Sequence, residues 1–167
     1  MERLLIKAGT IIKGQDLTEV KNGAVLVEDG KISKIYEQVT DVEGLEDAVT
    51  MDVGDKTLIP GMIDCHNHLA LDARIPNHLV KMSDCEAEQT LRAVKTMHDD
   101  LHAGVTTARC LGDKYYIDVT CRQAQREGRL EGPRLVVSGI GMRSLHGHGY
   151  VGMPHCGAED FRKTSRE

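Results

Sequence analysis

Tryptophan is absent from this 167-residue chain and phenylalanine occurs once, so aromatics make up only 3% of it. Any core must therefore be assembled from Leu, Ile, Val, Met and Ala. Long apolar runs are also missing. No stretch could cross a bilayer as a helix, and the N-terminal MERLLIKAGT carries charges at Glu2, Arg3 and Lys7 around a run too short for a secretory core. No membrane partner is expected, and the expected location is the cytoplasm. Basic excess is lacking as well: 21 Lys and Arg stand against 26 Asp and Glu, a formal charge of −5. That balance gives no electrostatic case for nucleic acid. The five cysteines are odd in number and contain no C-x-x-C pair, which argues against a disulfide framework or a cysteine-based zinc site.

What is present reads as a soluble α/β chain with 40% apolar and 28% charged residues. Residues 1–57 suggest short strands: LLIKAGTII, then AVLVE and KISKIYE joined by Asp29-Gly30, then TMDV before Gly54-Asp55. Asp-Gly supplies the positive φ of a type I′ hairpin turn. Residues 37–50, acidic and turn-rich, read as a loop. After Pro60 the rhythm changes. GMIDCHNH reads as a buried strand. Ser83, with Glu86 three residues on, forms a capping box for a helix that buries Ala87, Leu91, Val94, Met97 and Leu101 and ends at Gly104. VTTARCL is a second strand, Ile117 to Arg129 a second helix, RLVVSGIGM a third strand, and GAEDFRKTSRE the start of a third helix. The β-α-β-α-β order implies a parallel sheet with right-handed crossovers; on pattern alone, a doubly wound sheet and a (β/α)8 barrel are both open.

The chemistry concentrates in LIPGMIDCHNHL, residues 58–69. Residues two apart on a strand share a face, so His66 and His68 project together at a strand's C-terminal end, with Asp64 on their face and Asn67 opposite. Parallel α/β folds gather chemistry at that end, and two imidazole nitrogens can each reach one ion at about 2.0–2.1 Å. The alternative is two surface histidines at a strand tip. His98 and His102 are four apart on a helix but sit among Lys95, Asp99 and Asp100, and read as a solvated face. His78 has no partner at a ligand spacing. No G-x-S-x-G elbow and no dinucleotide fingerprint is present.

LIPGMIDCHNHL resembles the P-G-x-I-D-x-H-x-H signature of the amidohydrolase superfamily. GVTTARCLGD (104–113) is similar to that family's second-strand segment, and GPRLVVSG (132–139) with HGHG (146–149) to its third strand and loop, in a branch of imidazolonepropionase-related and prolidase-like enzymes. The resemblance implies a (β/α)8 barrel beside a small β-sandwich. Residues 1–57 would then be N-terminal strands of the composite sandwich, and 58–167 the first part of the metal-dependent hydrolase barrel, stopping after about three βα units.

It further implies a metal-dependent hydrolase cleaving a C–N bond (an amide, a dipeptide or a cyclic amide) with metal-activated water. One or two divalent ions, expected as Zn²⁺, would be held by His66 and His68. Asp64 would support the strand end. His148 and Arg109 would lie beside a small-molecule substrate, while His146 and His155 have no assigned role. The bridging Lys and general-base Asp of the family have no match and are expected beyond residue 167. Two departures stand out: Cys110 where the branch commonly has Asp, and a third-strand loop beginning His146-Gly147 rather than Gly-Gly-His-Gly. A homo-oligomer fits the reading. Two rival expectations are a catalytically inactive fragment or interaction piece, and a doubly wound binding domain without metal. An unclosed sheet would leave Ile63, Val105, Val137 or their neighbours in water.

Overall fold

The computed structural model describes residues 2–14, 16–76 and 84–142 of a mixed α/β chain, which falls into two compact units, Met1–Pro60 and Gly61–Glu167.

The first unit is a five-stranded sheet. Strands β1 (Arg3–Ile12), β2 (Glu19–Glu28), β3 (Lys31–Tyr36) and β4 (Val49–Asp52) lie in the order β3-β2-β1-β4, and the short β5 (Thr57–Leu58) also pairs with β1. Pairing is antiparallel from β1 to β2 and from β2 to β3, and parallel from β1 to β4 and β5. Asp29 and Gly30 take φ of 47° and 76° between partners Glu28 and Lys31, the geometry a type I′ turn requires. The run Ala24-Val25-Leu26 is buried on both faces. Ala24 and Leu26 pack with Leu5 and Tyr36 under Val39, Val42, Leu45 and Ala48, while Val25 packs with Ala8, Ile11 and Val20 against Val53 and Leu58. The acidic segment after β3 is therefore more than a linker: its four apolar side chains cover one sheet face.

The second unit is a three-stranded parallel sheet, β6 (Met62–Asn67), β7 (Val105–Cys110) and β8 (Arg134–Val136), in that order. Helices α1 (Glu86–His102) and α2 (Ile117–Arg126) connect the strands. Their core joins Leu69, Ala70, Ala93, Met97, Ala108, Cys110, Ile117, Cys121 and Leu135. Ile63 and Val136 are 66% and 50% exposed, whereas Val105 and Val137 pack against that core.

Three boundaries and one face differ from expectation. Helix α1 starts at Glu86 with Cys85 as N-cap and no side-chain cap; Ser83 lies outside the described residues. It ends as expected, with Gly104 at φ 91°. Its buried face is Gln89, Arg92, Ala93 and Met97, while Leu91 is 68% exposed. The rotation follows from two polar side chains that bury with partners. Gln89 Nε2 donates to the Asp84 carbonyl at 2.7 Å, and Arg92 pairs with the Asp84 carboxylate and donates to the Ala70 carbonyl. Helix α2 ends at Arg126, short of Arg129. The third strand stops at Val136 because the Ser138 and Gly139 N–H groups are taken by Asp118 Oδ2, at 3.0 and 2.9 Å, instead of by a neighbouring strand. GAEDFRKTSRE, His78, His146, His148 and His155 lie outside the described residues.

Candidate metal centre

His66 sits in the last two residues of β6 and His68 just beyond it. The regular alternation breaks here, since the register of β6 against β7 shifts between Asp64 and Asn67. Even so, the two rings converge, edge to face, with centroids 5.4 Å apart. The ladder closes beyond the pair with the Leu111 N–H donating to the Asn67 carbonyl at 2.9 Å.

His68 Nδ1 lies 2.9 Å from the Gly112 carbonyl oxygen. A carbonyl can only accept, so Nδ1 carries the proton and Nε2 keeps its lone pair; a backbone partner of this kind sets the tautomer and orientation of a metal-binding imidazole. Gly112 can hold this place because it has no side chain. Its φ is 122°, and a Cβ would meet Gly141 Cα and N at 2.7 Å. The donor set thus fits a divalent ion: two imidazoles on one open strand end, one of them with Nε2 left free to accept.

Beneath the pair the polar groups are cross-tied. Asp64 Oδ1 accepts the His66 N–H at 2.9 Å, and Asp64 Oδ2 accepts from Asn67 Nδ2 at 3.1 Å. Its carboxylate is turned back into the strand end instead of outward with the imidazoles. Asn67 Nδ2 also donates to Asp100 Oδ2 of α1 at 3.0 Å, which ties the helix to the strand tip. Burial raises the pKa of Asp100 above the usual carboxylate value, against the lowering effect of the Asn67 hydrogen bond. Arg109 is exposed on β7, and Cys110 after it is buried in the helix-side core.

A second cluster was not anticipated. Cys110, Asp113 and Asp118 are all buried and bring one possible ligand atom each within 4.8 Å of one another. Their hydrogen bonds show another use. Asp113 accepts the Leu69 and Ala70 N–H groups at 3.3 and 3.0 Å, and Asp118 accepts Val119, Ser138 and Gly139 N–H groups. Burial pushes the Cys110 thiol up to about 12, so the thiolate a metal needs is disfavoured. The two carboxylates act as clips that hold the strand-end segments in place of a regular ladder. The only sequence signal was Asp113 beside Gly112 in the second-strand motif.

No family model matches the chain. Among curated proteins, N-substituted formamide deformylase of Arthrobacter pascens is 45% identical over 56 residues, covering 32% of this chain and 10% of its own length. Imidazolonepropionase of Staphylococcus aureus (strain JH9) is 38% identical over 61 residues, covering 35% of this chain and 14% of its own length. Among solved structures, an amidohydrolase superposes with a TM-score of 0.68 at 31% identity over 84% of this chain. The chain is similar to proteins of the amidohydrolase superfamily over most of its length. A Xaa-Pro dipeptidase, solved with methionine in its active site, superposes with a TM-score of 0.70 at 25% identity over 83% of this chain. The chain spans 32% and 34% of those two structures, and about a tenth to a seventh of the curated relatives. Superfamily relatives such as these act on amide or other C–N bonds, as the names deformylase and dipeptidase state.

Proposed function

We propose that the chain supplies the first-strand histidine pair of a metal-dependent amidohydrolase that cleaves a C–N bond in a small amide, dipeptide or cyclic amide. The observation that carries this reading is the convergence of His66 and His68 at a parallel-strand end, with the His68 tautomer set by Gly112. In this proposal residues 1–57 are strands of a composite β-sandwich and 58–167 the first units of a (β/α)8 barrel. The likeness to amidohydrolase structures over most of the chain supports that assignment.

A divalent ion, expected as Zn²⁺, would supply Lewis acidity and lower the pKa of water so that hydroxide is available near neutral pH. His66 and His68 would hold it through one nitrogen each. Asp64 would hold the His66 backbone in place, and Asn67 and Asp100 would brace the strand tip against α1. Arg109, exposed on the neighbouring strand, would lie beside the substrate, as would His148. The protein would work in the cytoplasm, as a homo-oligomer.

The same observations favour a second reading for this chain on its own. It spans about a third of the matched structures, and Ile63 and Val136 stand exposed on the sheet. As an isolated polypeptide it would be an inactive fragment or an interaction piece, since two imidazoles hold an ion weakly. The test is a hydrolysis assay on N-formyl amines, dipeptides and cyclic amides with added Zn²⁺. The protein carrying the complete barrel should turn over at least one class and lose that activity in His66→Ala. Activity that survives His66→Ala would contradict the assignment. Residues 1–167 alone should be inactive and associate on size-exclusion chromatography with light scattering. A monomeric, metal-dependent hydrolase of 167 residues would refute the barrel assignment.

A further inference from the structure

The histidines of α1 form a pair of their own, outside the centre described above. We propose that His98 and His102 are a second, peripheral site for a late first-row transition-metal ion, Cu²⁺ above all. The two residues are one turn apart on the helix, and their ring centroids lie 4.2 Å apart at an interplanar angle of 38°. An i,i+4 histidine pair on one helical face is a bidentate chelate, because it presents two nitrogens to one point. Both residues are exposed, so an ion can enter without any rearrangement of the core, and the opposite face of α1 is the buried one.

The surrounding charge is mixed, so the two imidazoles and not a surplus of negative charge would hold the ion. His102 lies in the last helical turn, where unpaired carbonyls carry the negative end of the helix dipole. Asp99 places a carboxylate oxygen 3.9 Å from His98 Nδ1. Two cations oppose this: Lys95 pairs with Asp99, and Arg74 approaches it at 3.7 Å. Asp100 points to Asn67 and takes no part. Two neutral imidazoles with water in the remaining positions select by the Irving–Williams order, in which Cu²⁺ binds most tightly and exceeds Ni²⁺ and Zn²⁺. Both side chains lie on the exposed face of a continuous helix, so an ion can be reached by side-chain rotation alone. The site is independent of the assignment of His66 and His68, and it would add one ion to any count of bound metal.

The test is a Cu²⁺ titration of the protein by calorimetry, with electron paramagnetic resonance of the one-ion complex, repeated on His98→Ala and His102→Ala. Both positions are exposed, so each variant should fold as the parent does, which circular dichroism checks. Each variant should lose one bound ion, or weaken it by about tenfold or more, equivalent to at least about 1.4 kcal/mol. The His66→Ala variant should keep this ion and its two-nitrogen spectral pattern. An unchanged stoichiometry and affinity in either His98→Ala or His102→Ala would overturn the proposal. So would loss of the two-nitrogen pattern in His66→Ala alone.

Discussion

Gly112→Ala puts a methyl carbon 2.7 Å from both Cα and N of Gly141 while φ stays at 122°, where side chains are strained. Neither contact is with a flexible side chain, so the backbone must move. Holding the native conformation would cost on the order of 1–3 kcal/mol for the dihedral alone. Relaxing it shifts the carbonyl that accepts the His68 Nδ1–H at 2.9 Å. Losing that bond costs about 1 kcal/mol in stability. The larger effect is on the imidazole, whose tautomer and direction are no longer fixed; removing a partner of this kind typically weakens a metal by about 10–100-fold. Competition against a zinc chelator measures the affinity, and denaturant unfolding measures the stability. The variant should lose on the order of tenfold or more in affinity and a few kcal/mol at most in stability. Full metal affinity in a folded Gly112→Ala protein would show that His68 does not depend on this carbonyl.

Three further outcomes follow from the buried groups. Asp113 has its pKa raised chiefly by burial, with Asp118 adding to the effect. A raised carboxyl pKa favours folding below the ordinary value of 3.8, and that contribution is lost as pH climbs through the folded value. Wild-type stability relative to Asp113→Asn should therefore fall as pH rises from about 4 towards neutrality, whatever the constant offset between the two; parallel pH curves by urea unfolding would contradict it. Burial pushes the Cys110 and Cys121 thiols up to about 12 and about 11, while Cys65 and Cys85 are exposed. At pH 8, iodoacetamide with mass-spectrometric mapping should label Cys65 and Cys85 and spare Cys110 and Cys121 until denaturant is added. Asn67→Ala should cost about 1–3 kcal/mol, because it leaves the Asp64 and Asp100 carboxylates without the amide that bridges them; an unchanged urea midpoint would show that the bridge is idle.

Local chemistry was the part of the fold that could be read from the sequence. Asp29-Gly30 announced its hairpin because only the turn's own dihedrals matter there, and Gly104 announced the end of α1 for the same reason. The histidine pair was visible because the residues that make it adjacent in space are adjacent in sequence. The buried face of α1 was misread because hydrophobic periodicity treats Gln89 and Arg92 as solvent-facing, and their burial depends on Asp84 and Ala70. The early end of β8 depends on Asp118, twenty residues before Ser138. The contacts that shape the site, His68 to Gly112 and Asp113 to Leu69 and Ala70, span 43 or 44 residues. No local pattern encodes a partner at that distance; it exists only once β6 and β7 lie side by side.

His66 and His68 are proposed to hold one ion jointly. Zinc retained after dialysis, measured by elemental analysis in the protein carrying the complete barrel and in its His66→Ala and His68→Ala variants, tests this. Each variant should fold, keep its circular dichroism spectrum and lose the retained zinc. A variant that retains the wild-type zinc stoichiometry would contradict it.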